Sequence, residues 1–134
     1  MRPNKSKSQS RRGIAVVELA VCLPVLVVVL LGSIEICNAI FLKQAATAAA
    51  YEGVKVATGS GGTKQVGESR ANEILQARGL EGTGVVFEPA DPLLWTRGTP
   101  IELTVSIPAS NNLGGVELFY QGQTLTASVI MVKQ

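Results

Sequence analysis

Glu18 is the residue whose type and place most demand a chemical reason. It stands at the fifth position after Gly13, behind Arg11 and Arg12, and the residues that follow it, 19–34, carry no charge. A carboxylate at bilayer depth costs about 3 kcal/mol on insertion scales, so such a group needs a compensating partner or a use. The chemistry open to Glu18 is charge pairing rather than acid–base catalysis. The chain has no histidine, which removes the commonest general base and metal ligand. Asp91 and the scattered glutamates form no paired arrangement suited to proton transfer. Gly59, Gly61 and Gly62 lack the lysine-serine ending and the preceding strand of a phosphate-binding loop. Cys22 and Cys37, on one helix, would lie about 22 Å apart, far beyond disulfide reach, and read as small hydrophobes. No catalytic residue, metal ligand or cofactor site emerges, and we expect neither enzymatic activity nor a small-molecule substrate.

The elements that would position Glu18 begin with a basic leader. Residues 1–13 hold Arg2, Lys5, Lys7, Arg11 and Arg12 and no acid, whereas the rest of the chain is net acidic. A basic tip before an apolar span is the positive-inside pattern, with the N-terminus cytoplasmic and the C-terminal part extracytoplasmic. The leader is polar and serine-rich and reads as disordered. It is too short, and runs too directly into apolar sequence, to suggest a nucleic-acid-binding arm. Residues 14–42, interrupted by Glu18 and Glu35, are long enough to cross a bilayer as one helix, and hydrophobic all round between 19 and 31. The β-branched run 25–29 would suggest a strand in water, but in lipid the backbone must satisfy itself, which favours helix. Pro24 cannot donate to the carbonyl of Ala20 and predicts a kink. A secretory signal peptide shares the order basic, apolar, small, but its core would not contain an acid or run on to Leu42.

Past Lys43 the alanine-rich stretch 44–56 suits continued helix despite Gly53, so residues 14–57 form a single element about 66 Å long, half of it outside the membrane. Glycines 59, 61 and 62 end it. Residues 58–134 then read as a small α+β head. Residues 64–78 predict an amphipathic helix with Val66, Ala71, Ile74 and Leu75 on its inner face and Thr63 and Gly79 as caps. Residues 85–88 predict a short strand. Residues 101–107 and 125–132 alternate cleanly, with Ile101, Leu103, Val105 and Ile107 on one face of the first and Leu125, Ala127, Val129 and Met131 on one face of the second. Residues 116–120 suit either a helical turn or a strand. Trp95, in a proline-rich loop, reads as a cover over the sheet core. Glu35 and Lys43 suit the outer membrane boundary, with Glu35 a candidate for subunit contact.

The spacing Gly13-Ile14-Ala15-Val16-Val17-Glu18 resembles the prepilin-peptidase site of type IV pilins, in which an inner-membrane protease cuts after a glycine and the mature chain carries Glu at position five. The resemblance implies cleavage between Gly13 and Ile14. The cut would free an α-amine on Ile14, and with an axial shift between packed helices, Glu18 of one subunit could pair with the Ile14 amine of the next. Such a pair would set register as a buried polar residue does in a coiled coil. More widely, RRGIAVVELAVCLPVLVVVLLGSIEICNAIFLKQAATAAAYEGVKVA is similar to the TadE-like segment of the Tad (tight adherence, Flp) pilus system. Arg11, Gly13, Val17, Glu18, Leu19, Ala20, Pro24, Gly32 and Glu35 carry the likeness. Leu19 fits the TadE-like pattern but stands where pilins of this system often have an aromatic residue.

The resemblance implies an α+β, type IV pilin-like fold: a long N-terminal transmembrane helix, a short helix and a small antiparallel sheet. It implies a minor pilin or pseudopilin, because the major Tad pilin is much shorter. Its partners would be the prepilin peptidase, other pilins, Tad inner-membrane assembly proteins and the lipid bilayer. The expected place is the bacterial inner membrane, single-pass, with incorporation into a pilus as a further step. The rival reading is a membrane-anchored extracytoplasmic binding module that is neither cut nor polymerised.

Overall fold

The computed structural model describes residues 6–113, 119–120 and 122–134, with side chains described from Gly13 onward. The 116–120 segment, ambiguous in the sequence, therefore lies largely outside the described residues. Two compact units divide the chain, Met1–Ile34 and Glu35–Gln134.

The first helix, α1, is Ser6–Thr58. It starts inside the basic stretch that the sequence reads as disordered. Serine, lysine, glutamine and arginine have acceptable helix propensity, and once the apolar run has formed helix each added residue needs only one more hydrogen bond. In the N-terminal unit every residue from Gly13 to Leu30 is exposed, with apolar side chains on all sides. Pro24 lies inside α1, with helix on both sides of it. Among the described residues, Gly13–Thr58 is the one helix long and apolar enough to cross a membrane. It is a candidate membrane anchor.

In the second unit, α1 acquires an inner face. Glu35, Ala39, Leu42, Ala46, Ala49, Gly53 and Ala57 are all buried and recur every three or four residues, the period of one helical stripe. The globular unit thus takes in the second half of α1, whose side of the core is built mainly on alanines, with Leu42 and Val54 among them. Helix α2, Lys64–Ala77, starts at Thr63, whose side chain accepts from the Val66 amide. It ends in a Schellman turn: Leu80 N–H donates to Leu75 O at 3.1 Å, Gly79 N–H donates to Gln76 O at 2.9 Å, and Gly79 adopts φ +68°. Both expected caps are where the sequence puts them.

The inner face of α2 departs from expectation at one position. Ala71 and Leu75 are buried, but Val66 is 48% exposed and Gly67 takes the inner place. The crossing with α1 is too close for a side chain: a Cβ on Gly67 would lie 2.6 Å from Ala57 Cβ and 2.8 Å from both Gly53 O and Phe87 Cζ. Gly53, across the contact, is equally confined, by Leu103 Cδ2 at 2.6 Å and Ala71 Cβ at 3.0 Å.

Strands β1 (Gly84–Glu88), β2 (Pro100–Pro108) and β3 (Thr124–Val132) form an antiparallel sheet in the order β1-β2-β3. The registers pair Phe87 with Leu103 and Leu103 with Val129, so the expected apolar faces of β2 and β3 stack side by side. Ile101, Leu103, Val105 and Ile107 are fully buried against the alanine stripe of α1. Trp95 covers the sheet end, its ring 5.2 Å from that of Phe87 and its indole N–H donating to Pro89 O at 2.9 Å. This long apolar helix, short helix and small antiparallel sheet make up the α+β, pilin-like architecture that the sequence predicts.

Candidate assembly site and anchor

Gly13, Ile14 and Glu18 all lie on the exposed N-terminal part of α1. Space does not require a glycine at position 13: a Cβ built there meets nothing within 4 Å. This sets it apart from Gly53 and Gly67, whose packing forbids a side chain. A glycine inside a helix costs about 1 kcal/mol relative to alanine. Gly13 therefore lowers the helix propensity of α1 at this point, and among the described residues it serves no close packing contact. Ile14 is 57% exposed.

Glu18 is exposed on a helix whose neighbouring side chains, Val16, Val17, Leu19 and Val21, are apolar and exposed as well. Among the described residues no hydrogen bond or ion pair engages its carboxylate. Among the described residues no packing or bonding partner accounts for Gly13 or Glu18, and the two share one short stretch of helix with Ile14 between them.

Glu35 is placed quite differently. It is fully buried at the start of the second unit, and its Oε1 accepts from the backbone N–H groups of Phe119 and Tyr120, each at 2.8 Å. The carboxylate thus fastens the segment before β3 onto α1, within one chain. Lys43 is exposed on α1 and donates to Thr126 O on β3. Both side chains tie α1 to the β3 side of the head, a use that requires partners more than 80 positions away in sequence.

The far end of α1 is held by a lysine that local sequence does not single out. Lys133, just past β3, donates to Ala57 O at 2.9 Å, Gly59 O at 3.1 Å and Gly62 O at 2.7 Å. The Gln134 amide donates to Thr58 O at 3.0 Å. Orphan carbonyls at a helix C-terminus carry partial negative charge, and an ammonium there satisfies and stabilises them. Hydrogen bonds thus tie α1 to the rest of the second unit at both ends of its segment there. Cys22 and Cys37 are both exposed and unbridged, and the described residues contain no group of acids and cysteines able to hold a metal.

Neither the curated proteins nor the solved structures compared with the chain contain a match. A family model does match, over residues 13–55, about a third of the chain, beginning at Gly13 and ending in the alanine stripe of α1. That family is described as TadE-like protein, and the segment 13–55, which holds the apolar part of α1 with Gly13 and Glu18, is similar to it.

Proposed function

We propose that the chain is a structural, non-catalytic component of a Tad-type pilus or secretion system: a minor pilin or pseudopilin, anchored by α1 with residues 1–13 on the cytoplasmic side. A prepilin peptidase cuts between Gly13 and Ile14. Cutting there removes five basic residues and leaves an α-amine beside the membrane surface. Glu18 of one subunit then takes the Ile14 amine of a neighbouring pilin as its counter-ion, which sets the axial register of packed helices. The head stays outside the membrane.

The observation that carries this reading is the pair of residues the fold leaves unexplained. Gly13 has open space where a side chain would go, and Glu18 has no partner in its own chain among the described residues, yet both keep the pilin spacing inside the segment that matches the TadE-like model. A carboxylate in an apolar helix costs about 3 kcal/mol at bilayer depth unless compensated. A partner supplied by assembly repays that cost, and it exists only after cleavage.

The test is Glu18→Ala, expressed with the Tad components and their peptidase in a pilus-forming host. The expected result is normal cleavage with loss of the chain from sheared pili and from complexes with the other pilins. Normal incorporation of the variant would overturn the register role. An uncut wild-type chain that co-purifies with no pilin would favour the tethered binding module instead.

A further inference from the structure

The three-stranded sheet has a long edge that nothing in the described chain pairs. The hydrogen bonds Lys133 N–H to Thr99 O and Ala109 N–H to Gln123 O fix the phase of the β2–β3 ladder. With the register Leu103 to Val129, the odd-numbered residues of β3 bond to β2. The backbone groups of Thr124, Thr126, Ser128, Ile130 and Val132 point the other way, and of these Thr126 O is taken by Lys43. The strand TLTASVIMV carries no charge and no proline, the usual devices that protect an edge. The opposite edge is short, since β1 has five residues and is followed by Pro89.

Beside this edge lies a groove of about 420 Å³ between α1 and β3, lined by Lys43, Gln44, Thr47, Ala48, Tyr51 and Val129. It lies where the inward side chains of a fourth strand would project. A strand running antiparallel along β3 would place residues opposite Ala127, Val129 and Met131 on the α1 side, over Ala48 and Tyr51. Lys43 is the single charged group in the groove, at the Thr126 end, where the C-terminal part of such a strand would arrive.

We propose that β3 is a receptor edge for β-augmentation. Its occupant is an extended segment of another protein, antiparallel to β3, with small apolar residues facing α1 and a carboxylate near its C-terminal end facing Lys43. The unpaired backbone supplies the hydrogen bonds, the groove reads alternate side chains, and Lys43 fixes direction. This inference does not depend on cleavage or on Glu18.

The experiment uses the full chain in detergent micelles and an N-acetylated, C-amidated octapeptide that alternates threonine with valine and ends in glutamate. Hydrogen exchange is read at the amides of Thr126, Ser128, Ile130 and Val132. Saturating peptide should slow these amides by at least about tenfold and leave those of α2 unchanged. Ser128→Pro removes one edge donor at a position where the sheet tolerates proline, and should abolish the protection while Trp95 fluorescence stays native. Lys43→Gln should erase any preference for this peptide over one ending in glutamine. The proposal is overturned if the wild-type amides gain no protection, or if natively folded Ser128→Pro is protected equally.

Discussion

Replacing Lys133 with methionine tests how the head holds the end of α1. Methionine keeps an apolar stem and removes the ammonium, which reaches Ala57 O, Gly59 O and Gly62 O at 2.9, 3.1 and 2.7 Å. A hydrogen bond from a charged donor contributes about 1.5–3 kcal/mol net when formed alone. Three carbonyls share one ammonium here, and the side chain is only partly buried, so the three do not sum. Attraction to the negative end of α1 adds about 0.3–1 kcal/mol. The expected loss is therefore about 2–4 kcal/mol, and with about 4–8 °C per kcal/mol for a unit of this size the Tm falls by roughly 8–32 °C. Trp95 is the sole tryptophan and packs on Phe87 inside the head, so its fluorescence in detergent reports unfolding of the head without interference from the anchor. Lys55→Met is the control, because Lys55 is exposed and makes only a 3.7 Å ion pair with Glu52 and a loose contact with Tyr51. A Lys133→Met loss within about 0.5 kcal/mol of the control would refute the capping argument.

Two further substitutions probe the packing that positions the head. Gly67→Ala should destabilise by about 1–3 kcal/mol in the same assay, because overpacking at the α1–α2 crossing exceeds the helix-propensity gain of about 1 kcal/mol; a stabilised variant would show that the crossing can open freely. Glu35→Ala should cost about 1–3 kcal/mol and speed amide exchange at Phe119 and Tyr120, while Glu35→Gln, which keeps an acceptor oxygen, should lose less; unchanged exchange in the alanine variant would show that the carboxylate does not hold that segment.

What the sequence makes legible follows from where each signal resides. Strands β2 and β3 alternate because one face is buried, and α2 is bounded by Thr63 and Gly79, so all three can be found from local pattern. The stretch from Gly13 to Glu18 stands out in the sequence for a different reason, the type and spacing of a glycine and an acid that no contact among the described residues accounts for. The alanine stripe of α1 reads as helix propensity, and only the fold shows it to be the floor of the core. Val66 looks like a core residue by period, yet Gly67 holds that place because α1 and α2 approach too closely for a side chain. Glu35 and Lys133 are the least legible, since each acts on backbone more than 70 positions away. No local pattern signals such a contact.

The most direct test of the central claim is the N-terminus of the mature protein. Intact-mass measurement with N-terminal sequencing on chain extracted from membranes of a host that carries the prepilin peptidase should give a single species beginning at Ile14. A chain that keeps residues 1–13, or begins at any other residue, would contradict the account in which Gly13 marks the cut and the new Ile14 amine becomes the partner of Glu18.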